Sequence, residues 1–84
     1  MPQISYFFGI AIYMYYKSKE HHPPHIHAYY AGFNATLRIL DGTLLEGELP
    51  IRQFRLVQSW IAAHRQELMT MWTTQTFHKI VSKA

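Results

Sequence analysis

Histidines crowd into one short segment of this 84-residue chain. Four of the six histidines lie within residues 21–27, which read H-H-P-P-H-I-H. In an extended strand, His25 and His27 project to the same face, about 6–7 Å apart. Two imidazoles at that spacing can share a metal ion, or one can act as a general base while the other donates a proton. A third interpretation is a solvated sheet face whose histidines bond only to nearby backbone.

A metal site would need a third ligand, and the sequence offers no obvious one beside the histidine pair. Glu20 or His22 would have to fold back, and Asp41, Glu46 and Glu48 are distant along the chain. We therefore expect no metal and no cofactor. The chain has no cysteine, which excludes disulfides, thiolate metal sites and thiolate nucleophiles.

Aromatic and basic side chains would flank the histidine pair if the first three strands ran antiparallel. Tyrosine rings stack on bases, lysine and arginine meet phosphates, and imidazole, phenol and guanidinium groups can activate a ribose hydroxyl and stabilise a phosphorane. The predicted catalytic residues are His25, His27, Tyr29 and Arg38. The predicted nucleic-acid-binding residues are Tyr13, Tyr15, Lys17 and His22. The strand register is open at this point, so this face could instead lie beneath the helix.

The first half of the chain alternates in the manner of β-strands. Alternation over residues 10–17 and 25–31 predicts two strands, and Gly9 marks a bulge or a change of direction. A turn at residues 32–34 leads into a third strand over 35–40. Asp41-Gly42 then predicts a tight hairpin into a short fourth strand over 43–46.

The second half of the chain has helical periodicity. Pro50 marks the start of a helix that extends to about Trp72, with apolar side chains three and four residues apart. The fold class is therefore α+β, a three- to four-stranded antiparallel sheet (about 10–46) covered by one long C-terminal helix (about 50–72). Residues 1–72 form the domain, and residues 73–84 are an extension that forms a short second helix or a docking segment. A thin core at this length favours a homo-oligomer or a tight protein partner.

Composition restricts the class of protein only broadly. The net charge of +3 permits an acidic partner such as nucleic acid, and it equally serves solubility. The N-terminal apolar run has no basic segment before it and is shorter than the ~20 residues that span a bilayer, so we expect neither a signal peptide nor membrane insertion. The expected location is the cytoplasm.

Three ordered motifs resemble a small bacterial family, domain-of-unknown-function family 4160. They are the opening M-P-x-I-S-x-F-x-G-I-x-I-x-M-Y, the H-H-P-P-H-I-H-A segment, and D-G-x-L-L-E-G-x-L-P before W-I-x-x-H-R-x-E-L-x-x-x-W. The resemblance runs from Met1 to about Trp72. Genes of this family commonly lie beside genes of domain-of-unknown-function family 2442, which implies a toxin–antitoxin pair with this type of chain as the toxin and its neighbour as the antitoxin partner.

The resemblance supplies no mechanism, so two functions stay open. One is a toxin that acts on RNA as a metal-independent ribonuclease, with the residues named above. The other is a non-enzymatic module that binds a protein or a nucleic acid. An enzyme needs the two histidines and a cation to converge on a concave site, whereas a binding module presents a flat apolar patch.

Overall fold

The computed structural model describes residues 3–15 and 23–80. Within them the chain forms one antiparallel sheet with strand order β1-β2-β3-β4-β5, followed by a single long helix. The elements are β1 Gln3–Phe7, β2 Ile10–Tyr13, β3 His25–Tyr30, β4 Phe33–Arg38, β5 Leu44–Gly47 and α1 Ile51–Thr74. The α+β class is confirmed, but the sheet has five strands rather than three or four.

Two of the hairpins turn through only two residues each. Phe8 and Gly9 have φ of 49° and 76°, and Ala31 and Gly32 have φ of 46° and 86°. Positive φ at both central positions is the signature of the type I′ turn, whose twist matches that of the flanking strands. Of the two predicted roles of Gly9, the change of direction is therefore the one observed. The turn joins β2 to the preceding strand β1, which the sequence analysis did not predict. The second turn lies one residue earlier than the predicted 32–34.

The Asp41-Gly42 hairpin is wider than predicted. Residues 39–43 connect β4 to β5, and the loop is closed by a hydrogen bond from the Arg38 N–H to the Thr43 carbonyl (2.8 Å). The fully buried Ile39 anchors this loop, and its N–H donates to the Pro24 carbonyl at 3.0 Å. The register then shifts within β5, which decides where the side chains of that strand point.

The core lies between one face of the sheet and α1. The helix contributes six buried side chains, namely Val57, Trp60, Ile61, Leu68, Met71 and Trp72. The sheet contributes a second set, with Ile10, Ile12, Ile26, Ala28, Ala35 and Leu37 at its centre. The predicted helical stripe is confirmed at its centre, whereas Phe54 is only half-buried. None of the helices in the described residues is long and apolar enough to cross a membrane.

The residues after the helix dock on the edge of the sheet instead of forming the second helix. Gln75 ends α1 in the left-handed conformation (φ 55°), and no helix follows in residues 76–80. The Ile80 N–H donates to the Ile4 carbonyl (2.6 Å), and the Ser5 hydroxyl donates to the Ile80 carbonyl (2.9 Å). The Ile80 side chain is buried in the core. Over residues 76–80, the extension therefore docks on the sheet and forms no second helix.

Candidate functional site

The sheet face that does not contribute to the core carries His25 and His27 and is called the histidine face below. In the register of the strands, Tyr13 lies opposite His27, His27 opposite Thr36, and Thr36 opposite Glu46. Directly opposed residues point to the same side of a sheet, so these four side chains form a row across β2 to β5. His25 lies opposite Arg38 in the next row. Tyr13 on β2 and the polar residues Thr36 and Arg38 on β4 therefore flank the histidines.

The two imidazoles converge on one cavity. Their ring centroids are 5.1 Å apart, at an interplanar angle of 76°. The cavity has a volume of about 340 Å³ and is lined by Pro23, His25, His27, Thr36, Leu45 and Glu46. That volume lies at the lower end of the range of small-ligand sites. We call it the site cavity.

The orientation of His25 is set by the segment before it and by the helix. Its Nδ1 lies 2.8 Å from the Pro23 carbonyl oxygen. Because a carbonyl only accepts, Nδ1 carries a proton and donates it to this oxygen. The ring also packs against Trp72, at 5.0 Å between centroids. The end of α1 therefore helps to fix this imidazole.

The environment of His27 favours its neutral form. Burial lowers the pKa of His27 below its usual 6.5, and the neighbouring His25 lowers it further, while the Glu46 carboxylate acts in the opposite direction. Nδ1 lies 3.3 Å from the Thr36 hydroxyl, and the ring stands edge-on to Tyr15 at 4.6 Å. A neutral, positioned imidazole at pH 7 can accept a proton, as a general base must.

Tyr13, Tyr15 and Tyr29 form a tyrosine cluster beside the histidines. Tyr13 stacks with Tyr15 at 6.1 Å and meets Tyr29 edge-on at 5.2 Å. The hydroxyls of Tyr15 and Tyr29 lie 3.2 Å apart. Burial, followed by the hydrogen bond with Tyr29, raises the pKa of Tyr15 to about 12. Tyr15 is therefore a hydrogen-bond donor or stacking surface at neutral pH, and Tyr29 is the most exposed ring of the three.

Arg38 is not directed into the site cavity. Its Nη1 lies 3.4 Å from Asp41 Oδ2, in an exposed ion pair. Hydrogen bonds from the Thr43 hydroxyl and N–H hold the pKa of Asp41 below its usual value, and the Arg38 charge adds to this. The Arg38 Nε is buried with no hydrogen-bond partner within residues 3–15 and 23–80. The predicted cation thus borders the histidines without lining the cavity.

Two predicted binding residues, Lys17 and His22, lie outside the described residues. Conversely, the site holds two groups that the sequence prediction left out of the site. Glu46 lines the cavity, and Trp72 supports His25. Trp72 follows the periodicity of the buried helix residues, so the sequence predicts its place in the core but gives no sign that it also contacts His25. Glu46 could have been predicted only from the register of β5 against β4, and the irregular pairing of these two strands makes that register unpredictable from the sequence.

Within residues 3–15 and 23–80, no group of three or more His, Cys, Asp or Glu side chains could hold a metal ion. Comparison with curated proteins and with solved structures gives no match. A family model described as Domain of unknown function (DUF4160) matches residues 9–73. The match begins at Gly9 rather than at Met1, so β1 lies before it, and it ends one residue after Trp72. The chain therefore belongs to the DUF4160 family.

Proposed function

We propose that this chain is the growth-inhibiting toxin of a bacterial toxin–antitoxin pair, and that it cleaves RNA in the cytoplasm by acid–base chemistry at the site cavity. The observation that carries the chemistry is the convergence of His25 and His27 on one cavity in two different environments. Family membership supports the toxin assignment because genes of this family commonly lie beside genes of domain-of-unknown-function family 2442, an arrangement that implies a toxin–antitoxin pair. The partner in this proposal is an antitoxin of the family 2442 type.

The two imidazoles suit opposite tasks in the cleavage of a ribose phosphodiester. His27, whose pKa is lowered by burial, accepts the proton of the 2′-hydroxyl. His25, with Nδ1 fixed on the Pro23 carbonyl, donates a proton from Nε2 to the leaving 5′-oxygen. The 2′-oxygen attacks phosphorus and the bond to the 5′-oxygen breaks. The products are a 2′,3′-cyclic phosphate and a 5′-hydroxyl, so no cofactor is consumed.

The surroundings of the cavity fit a nucleotide. Tyr29 and its partners in the tyrosine cluster offer a surface on which a base can stack. The exposed Arg38–Asp41 pair is worth about 0–1 kcal/mol, so Arg38 can leave Asp41 for a phosphate at little cost. We therefore expect Arg38 to contribute to substrate affinity more than to the proton transfers.

The decisive experiment combines induced expression with cleavage of a defined RNA. Wild type, His25→Gln and His27→Gln are compared, with His78→Gln as control because His78 is an exposed histidine on the tail. Glutamine is preferred to alanine because His25 packs on Trp72 and His27 is half-buried, so alanine would remove packing as well as chemistry. Each site variant should lose about 100-fold or more in cleavage rate and no longer slow growth.

A second substrate separates the mechanism from other nuclease chemistries. The same oligonucleotide with 2′-deoxyribose at the cleaved position should resist, and the RNA product should end in a cyclic phosphate. Folded site variants that cleave like wild type would refute the assignment of the histidines. If expression of the wild-type protein never slows growth, the toxin assignment is refuted.

The alternative function is a non-enzymatic binding module, and one observation favours it. A second cavity of about 260 Å³ is lined by Phe8, Arg52, Gln53 and Leu56, and the Phe8 side chain is 57% exposed. An apolar ring at such a rim is typical of a protein contact. Phe8→Ser should abolish partner binding and leave RNA cleavage unchanged, which calorimetry and the cleavage assay can distinguish.

A further inference from the structure

Glu46 is the group in the site cavity that the proposed chemistry does not use. It lines the cavity together with both histidines and lies opposite Thr36, in the row that contains His27. A carboxylate is an unexpected neighbour for a phosphodiester because like charges repel. Its charge lowers the affinity for an anionic substrate, and a carboxylate at this position is therefore useful only if it contributes to a later step.

The position of Glu46 results from a particular backbone arrangement. Leu37 pairs with Leu44 and Thr36 with Glu46, so β5 contains one residue, Leu45, more than the facing stretch of β4. Such a β-bulge shifts the alternation of the strand by one residue. Without it, Glu46 would share the face of Ala35, which is the buried side of the sheet.

The electrostatics connect Glu46 with His27. The Glu46 charge raises the pKa of His27, against the effects of burial and of His25. The other groups facing this imidazole are the Thr36 hydroxyl on β4 and the Tyr15 ring that follows β2. Among residues 3–15 and 23–80, the cation that lies opposite His25, Arg38, is paired with Asp41. Glu46 is therefore the carboxylate among the described groups whose charge favours a protonated His27.

We propose that Glu46 is a positioning residue of the cleavage site, which acts through His27 by stabilising the imidazolium formed when His27 takes the proton of the ribose 2′-hydroxyl. This inference rests on the proposed function. In the same step the 2′-oxygen bonds to phosphorus and the leaving 5′-oxygen takes the proton of His25. The positive charge that develops on His27 is then offset by a carboxylate already in place, so little reorganisation is required.

The arrangement predicts opposite effects on substrate binding and on turnover. Replacing Glu46 by glutamine removes a negative charge from the cavity, so an RNA substrate should bind more tightly and KM should fall. The same change removes the stabilisation of the imidazolium, so kcat should fall about tenfold or more. It also lowers the pKa of His27, which moves the acidic limb of the kcat/KM profile to lower pH because the neutral base persists there.

The test compares the full chain carrying Glu46→Gln with a matched control, Glu48→Gln. The control removes the same charge two residues further along the chain, from a side chain that does not line the cavity. Steady-state cleavage of one RNA oligonucleotide across pH gives kcat and KM. The titration of the His27 ring protons, followed by NMR without substrate, gives its pKa independently of any activity. We expect both the kinetic split and the lowered His27 pKa in Glu46→Gln alone.

Two results would overturn the inference and can be told apart from failure of the proposed function. If wild type cleaves RNA and Glu46→Gln matches Glu48→Gln in kcat, KM and pH profile, Glu46 has no part in the reaction. If the His27 titration is the same in wild type and Glu46→Gln, the two groups do not interact and the inference fails whatever the kinetics. If wild type cleaves no RNA, the proposed function falls and the role of Glu46 in it falls too.

Discussion

Replacing Gly47 by alanine should cost far more stability than the same change at Gly32. Both glycines have positive φ, at +79° and +86° respectively, so alanine is strained at either position. A Cβ at Gly32 has no atom within 4 Å. A Cβ at Gly47 would overlap the Asn34 carbonyl oxygen and lie 3.0 Å from the Ala35 Cα. These are backbone atoms of β4, which cannot turn aside as a side chain could.

The expected magnitudes follow from these contacts. At Gly32 only the dihedral strain acts, about 1–2 kcal/mol, partly offset because alanine restricts the unfolded chain. At Gly47 the overlap adds a further cost of about 1–3 kcal/mol. If β5 moves away, the hydrogen bond from the Glu48 N–H to the Asn34 carbonyl (2.9 Å) is also lost, at about 1 kcal/mol. The free energy of unfolding should therefore be lower in Gly47→Ala than in Gly32→Ala by about 1–4 kcal/mol.

Urea unfolding of both variants, followed by tryptophan fluorescence, measures this difference at equal m-values. The reasoning further requires that Gly47→Ala moves Glu46, so in a variant that is still folded the pKa of His27 should be lower than in wild type. Equal unfolding free energies for Gly32→Ala and Gly47→Ala would refute the steric argument. A destabilised Gly47→Ala with an unaltered His27 titration would refute the connection between the strand and the site.

Three further measurements test other parts of the structure. Because the pKa of His27 is lowered on folding, the unfolded chain binds the proton more readily, and the free energy of unfolding should fall as pH drops from about 7 through 6.5. In urea titrations, His27→Gln should flatten this dependence between pH 7.5 and 5.5. An unchanged slope would contradict the lowered pKa. Ile80→Ala should lower the free energy of unfolding by about 2–4 kcal/mol, because the tail is part of the core, whereas a change under 0.5 kcal/mol would contradict its docking. Ala31→Asn should raise the melting temperature by a few degrees, since asparagine tolerates positive φ at the first position of a type I′ turn, and a lowered melting temperature would refute that turn assignment.

The parts of the fold that the sequence predicted are those governed by periodicity. The spacing of Val57, Ile61 and Leu68 placed the buried stripe of α1, and alternation in β3 separated the core residues from His25 and His27. Periodicity works here because each element buries one face only, so a shift of one residue would expose the whole apolar set. Alternation fixes which face these side chains share, whereas the pairing of Tyr13, His27 and Thr36 across β2, β3 and β4 depends on the register, which the sequence left open.

The parts that the sequence did not predict are the connections. Phe8-Gly9 and Ala31-Gly32 form tight turns although phenylalanine and alanine are unusual at positive φ, and the burial of the paired strands must sustain these turns. Asp41-Gly42, which has the stronger hairpin pattern, lies in a five-residue loop because Ile39 is drawn into the core and bonds to Pro24. Local turn preference is worth less than the burial of a large apolar side chain.

The irregular connection between β4 and β5 also determines the position of Glu46 in the site. A two-residue turn at Asp41-Gly42 would place Glu46 opposite Leu37, and the wider loop alone would place it opposite Ala35. Leu37 and Ala35 both lie on the core side of the sheet, so in either register Glu46 would be on that side and away from the two histidines. Only the extra residue Leu45 brings Glu46 opposite Thr36 and into the cavity with His27. Strand alternation therefore fixes the two histidines, whereas the third group of the site depends on a bulge that shows no periodic pattern.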